Sequence, residues 1–536
     1  MDWDVIVVGL GTAGTDAALA AARLGLRTLG VERTGAMGGQ YTSGGICFGQ
    51  RPPVASMLAF EREAEKTGLV RAYETVPLAV GKRDGRLVSV TLVSDGATRT
   101  ETARVFIDAT GNGTLARLAG LPLRRGRPHD GAMARPTRAE LWKEATGTVR
   151  PYDSNWNVKL DGDAAAHAAS VAFLGETRLK AFRDLRGRAR MLRPATLVGA
   201  REERRVVTER IVTFHDLLRE TAWDDPVFYG FGPEDYVQPD TLAYESDDLQ
   251  NWKLLCFLPA FGYPYAIPYG TLVAKGVANL LVPSKHLGVS HDCGGAIRMQ
   301  PEMRKSGRAA ACAAKVMCMR GCAARDVPYA ELRPLLLREG TLVKPNRTAV
   351  ETVNGFAFGW PFTDDEIVAA LSRPVVRSGE WWNSTAKDGP GERAAYAYWC
   401  CWKTALTGRA ADRAARADRL AAEMGKGGPC AGNFAVALGL LEDARCVPVL
   451  RALLRAPAPA NDPTGPGIYP NRLKAIPLLA RFGDRESVHL LRAVRADGAQ
   501  AFTADIPART GVFASPAAWR AEALAWVGTA LARLER

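Results

Sequence analysis

The chain has 536 residues, enough for two to four domains and a sizeable buried core. Apolar residues make up 47% and charged residues 24%, an ordinary globular balance that excludes a largely disordered chain. The formal net charge of +13 is spread along the sequence, which is weak evidence for nucleic acid and better evidence for anionic small molecules or mere solubility. The amino-terminal region then reads as one βαβ unit. Val5 to Val8 is a buried strand. Gly9-Leu10-Gly11-Thr12-Ala13-Gly14 follows, and then an Ala- and Leu-rich helix from about Thr15 to Leu24. Gly25-Leu26-Arg27 turns the chain into a second strand, Thr28 to Val31, ending at Glu32.

Each residue type in this unit has a task. Gly9 allows the tight turn, Gly11 lets backbone approach a pyrophosphate, and Gly14 lets the helix pack close to the strand. The N-terminus of the helix offers unpaired N–H groups and a positive dipole end. Glu32 lies 18 residues past Gly14, where a carboxylate accepts hydrogen bonds from ribose hydroxyls and repels a 2′-phosphate. A glycine-rich structural turn of another α/β fold is the bland alternative, and the strand–turn–helix–acid context weighs against it. No basic segment followed by an apolar one precedes the first strand, so the expected location is cytoplasmic. No apolar run approaches the roughly 18 residues of a membrane helix.

A second glycine cluster, Arg33 to Gly45, follows directly and includes Gly38, Gly39, Gln40, Thr42 and Ser43. A nicotinamide domain would proceed to another strand and helix. A glycine-lined loop suits an extended dinucleotide whose ring system lies against backbone. A helix from about Val54 to Thr67 and a β-pair near Leu87 to Leu92 come next. The strand Arg104 to Ile107 then runs into Asp108-Ala109-Thr110-Gly111-Asn112-Gly113. Further on lie the charged run Arg201-Glu202-Glu203-Arg204-Arg205 and a strand-like Ile211 to Phe214. A late block runs through Ile267 to Leu272, Asn279 to Ser284, Ser290-His291-Asp292 and Arg298-Met299-Gln300-Pro301.

In these segments the sequence resembles the FAD-dependent oxidoreductases related to the fumarate reductase and succinate dehydrogenase flavoproteins, within the glutathione-reductase-like FAD fold. The resemblance implies an α/β protein with a Rossmann-like FAD domain in two pieces, about 1–125 and 260–325. It implies an inserted α+β cap, 126–259, that forms much of the substrate pocket. It places the cofactor against Gly9, Gly11, Thr12, Ala13, Gly14, Glu32, Arg33, Gly38, Gly39, Gln40, Thr42, Ser43, Thr110, Gly111, Arg298 and Gln300. Pro301 would open a helix running to about Arg320, its N-terminus aimed at the flavin. The Gly45–Asp108 stretch is shorter than is usual in the family. The loop after Gly39 lacks a histidine of the kind that tethers flavin in some relatives, so noncovalent FAD is expected. No second GxGxxG unit follows, which argues against a dedicated nicotinamide domain. Arg201 or Arg205 either binds an acidic substrate or the flavin phosphates, or belongs to a solvated or ion-paired helix face.

His291 is the candidate base, because imidazole titrates in the right range to take a hydroxyl proton while hydride leaves the same carbon. Asp292 is placed to orient it, and Arg298 to neutralise flavin or substrate charge. A histidine that only shapes its loop is the competing reading. His286 is the weaker alternative, and Cys293 lacks a CxxC partner for thiol–disulfide chemistry. No cysteine pairing completes a metal site, and buried reduced thiols are expected.

Residues 326–536 read as an all-α region. Helices are expected over Asp364–Ser372, Arg409–Met424, Asn433–Leu441, Arg472–Phe482 and Pro516–Leu534. The segment from Asp443 repeats at Asp484, an offset of 41 residues, inside the HEAT range, so HEAT-like repeats are expected from about 430. These helices can pack on the catalytic part or on a second subunit. Trp381, Trp382, Trp399 and Trp402 suit either a sugar ring or core packing. The leading functional reading is hydride transfer between flavin N5 and a small organic substrate, an alcohol or sugar, with an unidentified electron acceptor or donor. The alternatives are a reductase or desaturase at a C=C bond of a small acid, and an FAD-binding interaction protein. Neither nucleic acid nor membrane is an expected partner.

Overall fold

In the computed structural model, residues 2–46, 53–128, 131–134, 136–144, 146–155, 189–233, 246–256, 261–345, 351–352, 361–373, 390–455, 469–498, 501–502 and 516–536 are described. The chain forms two compact units. The first holds residues 1–232, 236–239 and 264–346, and the second holds 233–235, 240–263 and 347–536. The stretch expected to stand apart as a cap, 126–259, is divided between them.

The first unit is built on one sheet. Its strands are β1 (Trp3–Val8), β2 (Thr28–Val31), β3 (Val70–Ala72), β4 (Val76–Arg83), β5 (Arg86–Ser94), β6 (Ala97–Asp108) and β7 (Leu280–Leu281). The order is β3-β2-β1-β6-β5-β4, with β7 also pairing to β6. β3, β2, β1, β6 and β7 pair in parallel, whereas β4, β5 and β6 form an antiparallel meander. Val5–Val8 of β1 form an unbroken apolar run because both faces of this parallel part of the sheet are covered, one of them by Leu87, Val90 and Leu92 of β5. Ile6, Val8, Leu29, Val31, Phe106 and Leu280 interlock in its core. The β4–β5 turn carries Asp84 and Gly85 at φ +50° and +70°, the backbone a two-residue hairpin turn requires.

Four helices position the site: α1 (Thr12–Arg23), α2 (Pro53–Thr67), α3 (Thr114–Leu118) and α4 (Gln300–Arg320). The expected start near Thr15 moves to Thr12, because Gly11 already takes the N-cap position. Pro301 sits in the first turn of α4, and Gly321, at φ +66°, ends that helix. α4 crosses α1 backbone against backbone. A methyl on Gly307 would lie 2.0 Å from the Ala13 carbonyl oxygen. Arg304 Nε donates to Asp16 across the same crossing at 2.9 Å. The strand-like Ile211–Phe214 is not a strand. Thr213 instead caps a helix over Phe214–Leu218, exchanging hydrogen bonds with Asp216. The Arg201–Arg205 run is not helical either, and Arg205–Val206 pairs as a short strand with Leu123–Arg124.

The second unit is mainly helical, with helices at Asp364–Leu371, Pro390–Thr407, Ala410–Gly425, Ala431–Leu440, Val447–Arg455, Asn471–Arg481, Val488–Asp497 and Pro516–Leu534. The two segments offset by 41 residues share one local structure. Each is a 3₁₀ turn (Ala444–Cys446, Arg485–Ser487) running into a helix. Arg451 of the first bonds Asp484 and Glu486 of the second, and Arg492, its counterpart, bonds Glu535. Trp399 and Trp402 lie in a buried edge-to-face cluster with Trp252, which also meets Tyr263. That favours the packing role over sugar stacking for these two; Trp381 and Trp382 lie outside the described residues. The nine described cysteines are free thiols, seven of them buried.

Lys474 is fully buried beside the Tyr398 ring, 5.1 Å from its centroid. Burial lowers its ammonium to about 7. The unfolded chain therefore binds a proton there that the folded chain gives up, and stability rises as pH climbs from about 7 toward 10.5. Lys474→Met is expected to gain roughly 2–4 kcal/mol at pH 7, a gain that narrows as pH approaches 10.5, in urea melts across that range. Gly307→Val should cost about 3 kcal/mol through the α1–α4 crossing. Gly528→Ala, where an added methyl meets nothing within 4 Å, should gain roughly 0.5–1 kcal/mol by comparison.

Candidate functional site

The Gly9–Gly14 turn links β1 to α1. Gly9 adopts φ +87°, and a methyl on it would strike the Thr110 backbone at 2.7 Å. A methyl on Gly14 would lie 1.7 Å from the Gly9 carbonyl oxygen. Gly11 differs, because a methyl there would meet nothing within 4 Å. α1 also starts without a side-chain cap, which leaves the N–H groups at Thr12 and Ala13 to a ligand. Open backbone and helix-start donors together fit a pyrophosphate. Glu32 is buried at the end of β2. Its Oε2 accepts from the Leu10 N–H at 2.7 Å, and its Oε1 from the Thr34 N–H and hydroxyl at 3.0 Å each. A carboxylate offers about four acceptor positions, so capacity for a ribose hydroxyl remains.

The second glycine loop is fastened onto the first. The Gly38 N–H is shared between the Leu10 carbonyl at 2.8 Å and the Thr15 hydroxyl at 3.0 Å. A methyl on Gly39 would lie 2.7 Å from Gly11 Cα. Gln40 Nε2 donates to the Val198 carbonyl at 2.6 Å, and Thr196 donates to the Ser43 carbonyl. Gln300 Nε2, at the start of α4, donates to the Ile46 carbonyl at 2.7 Å. The hydroxyls of Thr42 and Thr110 are engaged within their own loops. Thr42 donates to the Met37 carbonyl, and Thr110 donates to Asp108 while accepting from the Thr114 N–H.

The structure brings the remaining predicted residues next to this pair of loops. A methyl on Gly111 would lie 3.0 Å from Lys285 Cε, and Lys285 Nζ donates to the Ala200 carbonyl. Arg33 and Arg298 are among the charges that act on Lys285. Two residues past Ala200, Glu202 reaches His291. Its Oε1 lies 2.8 Å from Nδ1 of the fully buried imidazole. Arg205 Nη1 meets the same oxygen at 2.9 Å, and the Ala134 N–H donates to Oε2 at 2.8 Å. Burial raises the Glu202 carboxyl, but Arg205, His291 and Ala134 outweigh it and hold the group below the usual carboxylate range. The carboxylate against Nδ1 is thus Glu202 in place of the neighbouring Asp292, which is buried in the 3₁₀ turn His291–Cys293.

Arg205 is buried, paired with Glu202 and bonded to the Gly126 carbonyl at 2.9 Å, so it is a structural cation. His286 Nε2 lies 2.9 Å from the Asp108 carbonyl, and burial holds the ring below the ordinary histidine range, in its neutral form. Cys293 Sγ packs between the Ser290 hydroxyl and the Val212 carbonyl, 3.4 Å from each. Three residues escaped the sequence reading. Glu202 was visible only as one charge in a run. Lys285 follows Ser284, whose φ of +85° marks a forced turn. Glu302, buried in the first turn of α4, has its carboxyl pushed up by burial to about 7 and can hold a proton near neutrality. Glu202→Gln leaves Arg205 buried without its counter-charge and is expected to cost about 3–5 kcal/mol at pH 7. In denaturant melts that difference should hold steady above about pH 4.5 and shrink below it, as wild-type Glu202 is itself protonated.

The match to a known family agrees with a dinucleotide site. A family described as FAD dependent oxidoreductase matches residues 4–50, 50–182 and 177–336. Among curated proteins none matches the chain. Solved structures similar to parts of it include THI4 from Thermovibrio ammonificans, at 22% identity over 23% of this chain and 66% of that one, with a TM-score of 0.21. Thioredoxin reductase from Lactococcus lactis matches at 23% identity over 20% and 35%, with a TM-score of 0.17. The myxobacterial chondrochloren halogenase CndH matches at 12% identity over 63% and 78%, with a TM-score of 0.31. The chain thus spans just under two thirds of the first of these structures and about a third of the second. Among the described residues, no helix is long and apolar enough to cross a membrane. The family match extends over more than half of the sequence and takes in every glycine loop described above: the chain belongs to the FAD dependent oxidoreductase family, and its cofactor is FAD.

Proposed function

We propose that the protein removes a hydride from a hydroxyl-bearing carbon of a small organic substrate, an alcohol or sugar, with His291 as the base. The observation that supports this most is the buried contact between His291 Nδ1 and Glu202. An ionised carboxylate at Nδ1 holds the proton on that nitrogen, which makes Nε2 the basic one. FAD, held noncovalently, supplies the hydride acceptor. His291 takes the hydroxyl proton at Nε2, and Glu202 stabilises the imidazolium that results, much as a triad carboxylate does. Arg205 and the Ala134 N–H keep that carboxylate ionised and fixed. Arg298 offsets negative charge on the flavin or the substrate. A separate donor or acceptor completes the redox cycle, and the HEAT-like helices offer a face for self-association.

The test is anaerobic bleaching of the yellow holoprotein by panels of alcohols, sugars and dicarboxylates. Alcohols or sugars should bleach it. Reoxidation of the chemically reduced protein by an unsaturated dicarboxylate, with no bleaching by hydroxyl compounds, would move the assignment to a C=C reductase. His291→Ala should keep FAD and slow flavin reduction about 10²- to 10⁴-fold. Loss of FAD from that variant would make His291 a structural residue.

A further inference from the structure

We infer that Arg304 is a positioning residue for FAD, its guanidinium clamping Phe60 of α2 onto the second glycine loop at Gly38. The contacts form a circuit that begins and ends on α1. Ala13 and Asp16 lie three residues apart in α1, as Arg304 and Gly307 do in α4, so each pair shares one helix face. The crossing of Gly307 on Ala13 therefore sets Arg304 beside Asp16, and Arg304 Nε donates to Asp16 Oδ2 at 2.9 Å. The same guanidinium lies over Phe60, its Cζ 5.8 Å from the ring centroid. Phe60 bears on the loop, since a methyl on Gly38 would sit 3.1 Å from Phe60 Cε2. Gly38 returns the circuit to α1, its N–H donating to the Thr15 hydroxyl at 3.0 Å.

The charges around Asp16 separate this role from that of a general fold contact. Asp16 also meets Arg308 Nε at 3.5 Å, and Arg23, itself paired with Glu339 and Glu63, acts on it as a third cation. Arg308 is shared with the Glu339 carbonyl, to which its Nη1 donates at 2.7 Å. Without Arg304, Asp16 still has Arg308 and Arg23, whereas Phe60 loses its guanidinium. The Arg304 side chain is 41% exposed, so replacing it does little to the core. A planar guanidinium can meet a carboxylate with one edge and an aromatic ring with its face. Gly38 stands at φ +101° and has no side chain to fix it against its neighbours, so Phe60 supplies that restraint from outside the loop. A contact that holds the loop in its binding arrangement raises the binding-competent fraction, and affinity with it, without touching the ligand.

This inference rests on FAD as the cofactor and not on the role given to His291, because its test needs no turnover. The full-length protein is stripped of flavin and titrated with FAD and with ADP. ADP carries the pyrophosphate but lacks the ring system that the second glycine loop suits. Arg304→Met should weaken FAD binding about 5- to 20-fold and leave ADP affinity within about twofold of wild type, and Arg304→Lys should recover part of the loss. Phe60→Leu should weaken FAD binding to a similar degree. Adding Arg304→Met to Phe60→Leu should cost less than about a further twofold, since one contact is lost only once. Denaturant midpoints of the flavin-free proteins read the fold separately and should stay near wild type. An FAD affinity within about twofold of wild type in Arg304→Met, an equal loss for ADP, or losses that multiply in the double variant would each overturn the assignment. So would a loss of FAD affinity that tracks a fallen denaturant midpoint, which would make Arg304 a fold contact alone.

Discussion

Of the places where the first unit brings main chain against main chain more closely than any side chain allows, four join the glycine turns and helix α4. Gly14 lies on the Gly9 carbonyl, Gly9 on Thr110, Gly39 on Gly11, and Gly307 on Ala13. These contacts assemble the turn after β1, the second glycine loop, the turn after β6 and helix α4 into one block. The surface of this block is then made chiefly of peptide groups, whose positions are fixed by the fold and do not depend on rotamers. Glu32 works within the same constraint. One of its oxygens holds the first loop at Leu10 and the other holds Thr34, so the carboxylate ties the two loops together.

A second layer of order is electrostatic and buried. His291, Glu202, Arg205 and the Ala134 N–H form a chain in which each polar group answers another. Burying a carboxylate or a guanidinium alone costs several kcal/mol, and burying them together with their hydrogen bonds costs far less. The same segment that supplies Glu202 supplies Ala200 to Lys285 and Val198 to Gln40. Residues 195–205 therefore connect the glycine loops with the candidate base, although they carry little regular structure.

The features legible in the sequence are those with a local physical cause. The glycine turns, the buried strands, the Pro301 helix start and the 41-residue repeat each follow from residues within one or two turns of each other. The partners of His291 and Lys285 do not. Glu202 is 89 residues from His291 and Ala200 is 85 from Lys285, and nothing in the local pattern of a charged run says which charge turns inward. Ile211–Phe214 was misread for a related reason. Three apolar residues around Thr213 satisfy a strand pattern, but Asp216 three residues later completes a cap, and the cap prevails.

In the second unit, Arg451 and Arg492 occupy matching places, and each reaches forward to an acidic group beyond its own helix. Each segment thus carries its own clasp for whatever follows it. A gene duplication that added or removed one such stretch would bring a matched clasp with it, so this part of the chain can change length over evolutionary time by whole segments while the glycine-built block, with no slack in its backbone contacts, cannot.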